Sequence, residues 1–426
     1  MARKRKRPSA EQPAVTADNI RLDGDERNVY AESVDEGHKV DRRTQVIFVL
    51  CIVLVVLYFF GLVVPKNLFN PNLHQGGYAA GYSFSWFVDD LASNVNGLVS
   101  VFLGHDDAPV AFSSTMVRYL IIAMTGAGLA LCGAVYQGSF RNALVSPSTL
   151  GVMSGATAGM MLWVVFFVDD EGTNVPWLST YAGSDDGFWA QLVSNYSLSV
   201  ISFIGCLLVV GCVLLVMRVG RGGFSSPIML IITGQIIGGV MGALSNTIRY
   251  FYVYSNPYGA KAELLTELQI ASFYRNYTWI DLVLVGIPIV ITFIVIMKLR
   301  RRMQALSLGE GEARALGVDA KRMQVLVVGL CTLLTAILIS FCGMVGFVGF
   351  LVPHLARRLV GPNFSYLLPA ATVLGAVFVL GAYVLLLMTL GSSYETMVGM
   401  FISIGGAAVF LVTALRGKGG SRGEFR

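Results

Sequence analysis

The chain has 426 residues, 55% of them hydrophobic and only 13% charged, with a formal net charge of +5. A soluble domain carries about 25% charged residues, so this composition excludes a water-soluble protein with a full polar skin, and its apolar content excludes a disordered chain. The mean hydropathy of +0.66 fits a polytopic membrane protein, because roughly 20 apolar residues cross a bilayer as a helix.

Residues 1–45 are expected to form a disordered, charged cytoplasmic tail. It opens on the basic run Arg3-Lys4-Arg5-Lys6-Arg7 and continues with mixed charge. A membrane domain follows over 46–416, with a short tail at 417–426. No cleavable signal peptide is expected, since the first apolar run begins near Val46 and is long enough to span. Apolar runs predict spans at 46–64, 117–136, 149–168, 198–217, 228–248, 280–297, 323–342, 366–388 and 397–415. A tenth, at 343–360, is weaker, being glycine-rich and then polar through Pro353-His354 and Arg357-Arg358. The segments at 65–116 and 169–197 read as long outer loops, and a short surface helix is expected around 262–273.

Charge tests the weak span. Cytoplasmic segments of membrane proteins hold the excess of Lys and Arg. With the N-terminus inside and ten crossings, inner segments hold 26 of the 31 Lys and Arg, a net of +13 against −8 outside. Without a crossing or a reversal at 343–360 the basic C-terminus would lie outside. Both termini are therefore expected in the cytoplasm, in a plasma or inner membrane.

Ionisable residues inside a span mark function by default, and here they are few. Arg118 and Asp281 sit at span edges and Glu395 in a short turn. No catalytic constellation, metal cluster, phosphate loop or cofactor motif is expected. A buried proton relay is missing from the spans, which counts against an ion-coupled carrier or membrane enzyme, the alternative of a different class. The six cysteines all fall in apolar runs and read as small buried apolar residues.

Small residues recur at helical spacing as Gly151, Gly155 and Gly159, and again as Gly234, Gly238 and Gly242. Such stripes let helices approach closely, and packing within one bundle is the expected use. Near the second stripe lie Thr233, Gln235, Ser245 and Asn246, unusually polar for a lipid-facing helix, and Met400 follows in the last span. These five are candidate lining residues of a pathway.

Three ordered blocks resemble the permease family of iron–siderophore, haem and vitamin B12 ABC importers. The first is Gly133-Ala134-Val135-Tyr136-Gln137-Gly138 with Arg141-Asn142-Ala143-Leu144-Val145-Ser146-Pro147, similar to that family's "GA..QG..RNPLA.P" pattern. The second is Leu306-Ser307-Leu308-Gly309-Glu310 with Ala313, Leu316 and Gly317. The third is Gly346-Phe347-Val348-Gly349 with Pro353, His354 and Arg357.

The resemblance implies an all-α permease of about ten transmembrane helices, the type II ABC importer fold. It implies a homodimer or a pair with a similar permease, two ABC ATPase subunits inside and a solute-binding protein outside. No cofactor and no nucleic acid are implied, and ATP hydrolysis would belong to the partner subunits. The ligand implied is an iron–siderophore complex, with haem or cobalamin as alternatives. Residues 302–318 would couple to the ATPase, and Gln137, Gly138, Arg141, Asn142, Pro147, Pro353, His354 and Arg357 would lie at the same face. Arg249, Lys261 and Arg275 are candidate contacts to the binding protein. The chain departs from the family pattern at Ala143, where a proline is usual, and at Gly381-Ala382-Tyr383, where an acidic residue is usual.

Overall fold

The computed structural model describes residues 24–64, 84–103, 110–168, 188–219, 227–270, 273, 277–391, 394 and 397–416. The chain divides into two units, 1–45 and 46–426. Helix α1 runs Gly24–Val63; the described residues of the first unit, expected to be disordered, are helical.

Among the described residues the helices that follow are α2 (Phe84–Leu103), α3 (Val110–Ser139), α4 (Val152–Phe167), α5 (Phe188–Val219), α6 (Pro227–Ser255) and α7 (Ala260–Ile270). Then come α8 (Trp279–Leu308), α9 (Glu310–Ala315), α10 (Ala320–Cys342), α11 (Val348–Val360), α12 (Phe364–Leu390) and α13 (Val398–Arg416). Among the described residues seven helices are long and apolar enough to cross a membrane: 42–63 in α1, 114–139 in α3, 196–218 in α5, 229–255 in α6, then α8, α10 and α12. Helix α4 and the 398–409 stretch of α13 are apolar but shorter. Helix α11, at 13 residues, extends only about 20 Å at 1.5 Å per residue. Each predicted span thus has its helix, and the weak one is a half-length helix.

Two elements differ from expectation. Helix α2 lies in what reads as an outer loop, because Asp89-Asp90 and Asn94, Asn96 interrupt its apolar positions. Its Asn94 Nδ2 donates to the Val63 carbonyl at 3.4 Å, at the end of α1. Helix α7 is not a free surface helix. Ala262, Leu265 and Leu268 recur at a spacing of three and are buried, with α7 packed on α4 and α6.

Helix α3 is the centre. It packs on α12, α10, α8 and α11. Its glycines permit this. A Cβ on Gly133 would overlap the Gly349 carbonyl of α11, and one on Gly126 would overlap the Gly375 carbonyl of α12. The α4 stripe is also consumed internally: Cβ atoms on Gly155 and Gly159 would fall 2.6 Å from the Gly205 and Ile201 carbonyls of α5. A buried polar layer ties α3 to α10. Tyr136 and Thr332 share a hydrogen bond of 2.7 Å, and the Cys132 thiol lies 3.4 Å from the Cys331 carbonyl. Tyr383 is buried edge-to-face on Tyr119 at 5.3 Å, and the Tyr119 hydroxyl donates to the Gly61 carbonyl at 3.0 Å. Of the free cysteines, Cys132, Cys206, Cys331 and Cys342 are buried, while Cys51 and Cys212 face outward from their apolar helices.

The Gly133 contact gives a direct expectation. Gly133→Ala forces α3 from α11 and lowers stability by about 1–3 kcal/mol, the usual cost of overpacking. Gly329→Ala in α10, with open space around it, is neutral or gains up to about 1 kcal/mol of helix propensity. Thermal unfolding of the two detergent-solubilised variants reads the contrast.

Candidate functional site: the interhelical face at residues 137–147, 304–318 and 353–364

Helix α3 ends at Ser139 and the chain turns at once. Arg141 takes a left-handed backbone with φ 50°. The Asn142 amide donates back to the Gln137 carbonyl at 3.1 Å, and its side-chain oxygen receives the Leu144 amide at 2.9 Å. Ser146 and Thr149 then cap the 3₁₀ turn Pro147–Leu150 reciprocally. This sequence of turns leaves Leu144 on the outside, 57% exposed.

The second segment leaves α8 in a similar way. Ser307 bonds back to the Gln304 carbonyl at 2.7 Å. Gly309 follows at φ 144° and ψ 161°, a region open essentially to glycine alone, and α9 starts at the next residue. Leu306 and Ala313 are buried, whereas Leu308 and Leu316 are 58% and 63% exposed. Gly317 closes the turn at φ 77°, and Asp319 caps α10 by accepting the Arg322 amide at 3.2 Å. Glu310 opens α9.

The third segment joins the other two. Gln137 is buried. Its Nε2 donates to the Phe350 carbonyl at 3.0 Å, and its Oε1 accepts from Arg357 Nη1 at 2.5 Å. The Phe364 amide donates to Gln304 Oε1 at 3.1 Å, and the Phe364 ring lies against Gly138. A Cβ on Gly309 would sit 3.5 Å from Arg141 Nη1. Pro147 lies against Gly349. Pro353 is buried and His354 half-buried on α11. Segments 137–147 and 304–318, more than 150 positions apart in sequence, therefore meet with 353–364 at one end of the bundle, where Leu144, Leu308 and Leu316 are each exposed.

The other sequence candidates are dispersed. On α6, Thr233 and Ser245 are buried, Ser245 bonding its own helix at the Met241 carbonyl, 2.9 Å away. Gln235 and Asn246 are exposed, and so is Met400 on α13. Gly234 packs against Thr149, yet Gly239 and Gly242 meet nothing within 4 Å, so α6 keeps one open face. Arg249 is half-buried, and its Nε makes no hydrogen bond among the described residues. The Lys261 ammonium lies 5.1 Å over the Tyr252 ring. Arg275 lies outside the described residues, as does Glu395. Asp281 is buried as a capping residue, accepting from the Thr278 amide at 2.7 Å. Among the described residues no group of His, Cys, Asp and Glu is placed to hold a metal ion.

A many-helix bundle, with seven helices among its described residues long and apolar enough to cross a membrane, defines a polytopic membrane protein. The chain belongs to the FecCD transport family, whose model matches residues 78–416; this is a family of permease subunits of ABC transporters, with ATP hydrolysis in separate subunits. It is 31% identical to the molybdate import system permease protein MolB of Haemophilus influenzae, over 64% of this chain and 71% of that one. It is 26% identical to the Fe(3+)-citrate import system permease protein YfmE of Bacillus subtilis, over 88% and 95% of the two chains. A solved structure of a metal-chelate type ABC transporter in an inward-facing conformation superposes with a TM-score of 0.63 at 27% identity, covering 88% of this chain and 99% of that one.

Because Gly309 holds a backbone at φ 144° that is open essentially to glycine alone, Gly309→Ala is expected to cost about 1–3 kcal/mol locally and to loosen α9. Hydrogen exchange at 309–318 should rise severalfold while α3 exchange stays unchanged.

Proposed function

We propose that this chain moves an iron chelate, a ferric siderophore first, across the cell membrane by alternating access, with ATP hydrolysed in two partner ABC subunits. The observation that carries the reading is the meeting of the 137–147, 304–318 and 353–364 segments under an exposed Leu144, Leu308 and Leu316. Exposed leucines among charged residues at such a junction suit a protein partner, and a short helix seated in an ATPase moves as a lever when that ATPase closes. We place this face, and both termini, in the cytoplasm on the charge distribution. Coupling falls to Leu306, Ser307, Leu308, Gly309, Glu310, Ala313, Leu316 and Gly317.

A second permease copy meets the open face of α6. Gln235, Asn246 and Met400 then border the pathway, while Thr233 and Ser245 serve packing from within. Arg249, Lys261 and Arg275 are the outer cations available to a solute-binding protein, and Arg275→Glu is expected to weaken its docking at low salt.

The ligand rests on relatives. Their names include iron chelatin, Fe(3+)-citrate and hemin permeases, against one for cobalamin and one for molybdate. Haem or cobalamin is the second reading.

Uptake of labelled ferric siderophore, haem, cobalamin and molybdate by cells with the gene deleted and restored tests this reading. Loss of siderophore uptake alone is the expected result; loss of another keeps the mechanism and moves the ligand. Replacing Leu316 by Glu, an exposed position, is expected to change fold stability by less than about 0.5 kcal/mol and to abolish restored uptake. Full uptake by that variant contradicts the lever.

A further inference from the structure

Helix α11 carries Pro353 in its interior. Proline has no N–H, so the Gly349 carbonyl loses its intrahelical donor and the helix is weakened there. The Gln137 side chain of α3 spans that weak point. Its amide donates to the Phe350 carbonyl, three residues before the proline, and its oxygen accepts from Arg357, four residues after it. Both contacts are made by one buried side chain, whose loss on one side leaves a polar atom buried without its partner.

The same side chain lies next to the coupling segment. Gly138, its chain neighbour, touches the Phe364 ring, and the Phe364 amide is held by Gln304. At its far end, α11 begins at Phe347, a non-glycine residue at φ 64°, packed on Gly406 of α13. A continuous line of contacts therefore runs from Gln304 through Phe364 and Gly138 to Gln137, then across the proline to the start of α11 and to α13.

We infer that Gln137 is a positioning residue that splints α11 across Pro353, so that displacement of the 304–318 segment moves α11 as one body and reaches α13. This rests on the proposed ATPase-driven transport. Gln137 touches no ligand and performs no chemistry. Without the splint, α11 flexes at Pro353 and absorbs the movement.

The test is hydrogen–deuterium exchange of the intact complex with its ATPase subunits, nucleotide-free and vanadate-trapped. In the parent protein, trapping is expected to change exchange at both 304–318 and 343–360. In Gln137→Met the first change is retained and the second is lost. Gln137→Glu, which keeps the Arg357 contact and loses the donor to Phe350, is expected to fall between and guards against a misfolded Met variant. A Gln137→Met complex that shows both changes, with only a lowered melting temperature, overturns the inference and leaves a merely structural glutamine. So does a parent complex with no response at 343–360. Absence of any co-purifying ATPase is a different failure: it removes the proposed function, and the inference with it.

Discussion

The close approach of α3 to α11 and α12 is the constraint on which the rest depends. In lipid there is no hydrophobic gain from bringing two apolar helices together, because the acyl chains are equally apolar. Association must come from fit, and glycine gives the fit. At Gly126 against Gly375, and at Gly133 against Gly349, one backbone rests on the other with no room for a methyl group. That distance places Gln137, one turn beyond Gly133, within reach of Phe350 and Arg357. It also seats Phe364 on Gly138. A wider spacing would take the buried Gln137 amide out of reach of Phe350 and Arg357, at a cost of about 1–3 kcal/mol for each polar atom left unsatisfied.

The two glycine stripes show how the same pattern serves different ends. In α4, Gly155 and Gly159 are used up against α5, and Gly151 meets Gly234 of α6. In α6, Gly234 and Gly238 are used against Thr149 and Ser154, and Gly242 is left open, as is its neighbour Gly239. The free side of α6 carries Gln235 and Asn246 beside Ile236 and Val240. A helix with small and polar positions on its outward side is poorly matched to lipid and well matched to a second protein surface around a wet path. That is the physical basis for proposing a pathway here.

Much of this was legible in the sequence. Long apolar runs located the spans, and the bias of Lys and Arg placed 141, 298–322 and 357–358 on one side; Gln304 holding Phe364, and Arg141 beside Gly309, bring those segments together. What was hidden has clear causes. Helix α2 alternates apolar and polar residues and so resembles a loop. Helix α7 was expected at the surface, yet Ala262, Leu265 and Leu268, at every third position, are buried. Thr233 and Ser245 looked like lining residues, yet a hydroxyl in a helix satisfies itself on the carbonyl four residues back, as Ser245 does, and then packs like an apolar group. Polarity alone did not reveal facing. The link from Gln137 to Arg357 spans 220 positions and leaves no local signal.

The central claim is that this subunit supplies a pathway and a lever, while partner subunits supply the energy. Native mass spectrometry of the gently extracted complex, joined to uptake into proteoliposomes with and without internal ATP, tests it most directly. The account predicts two permease chains with two ATPase chains, and uptake only when ATP is present on the ATPase side. A permease that carries its ligand without ATPase subunits, driven by an ion gradient alone, would contradict it.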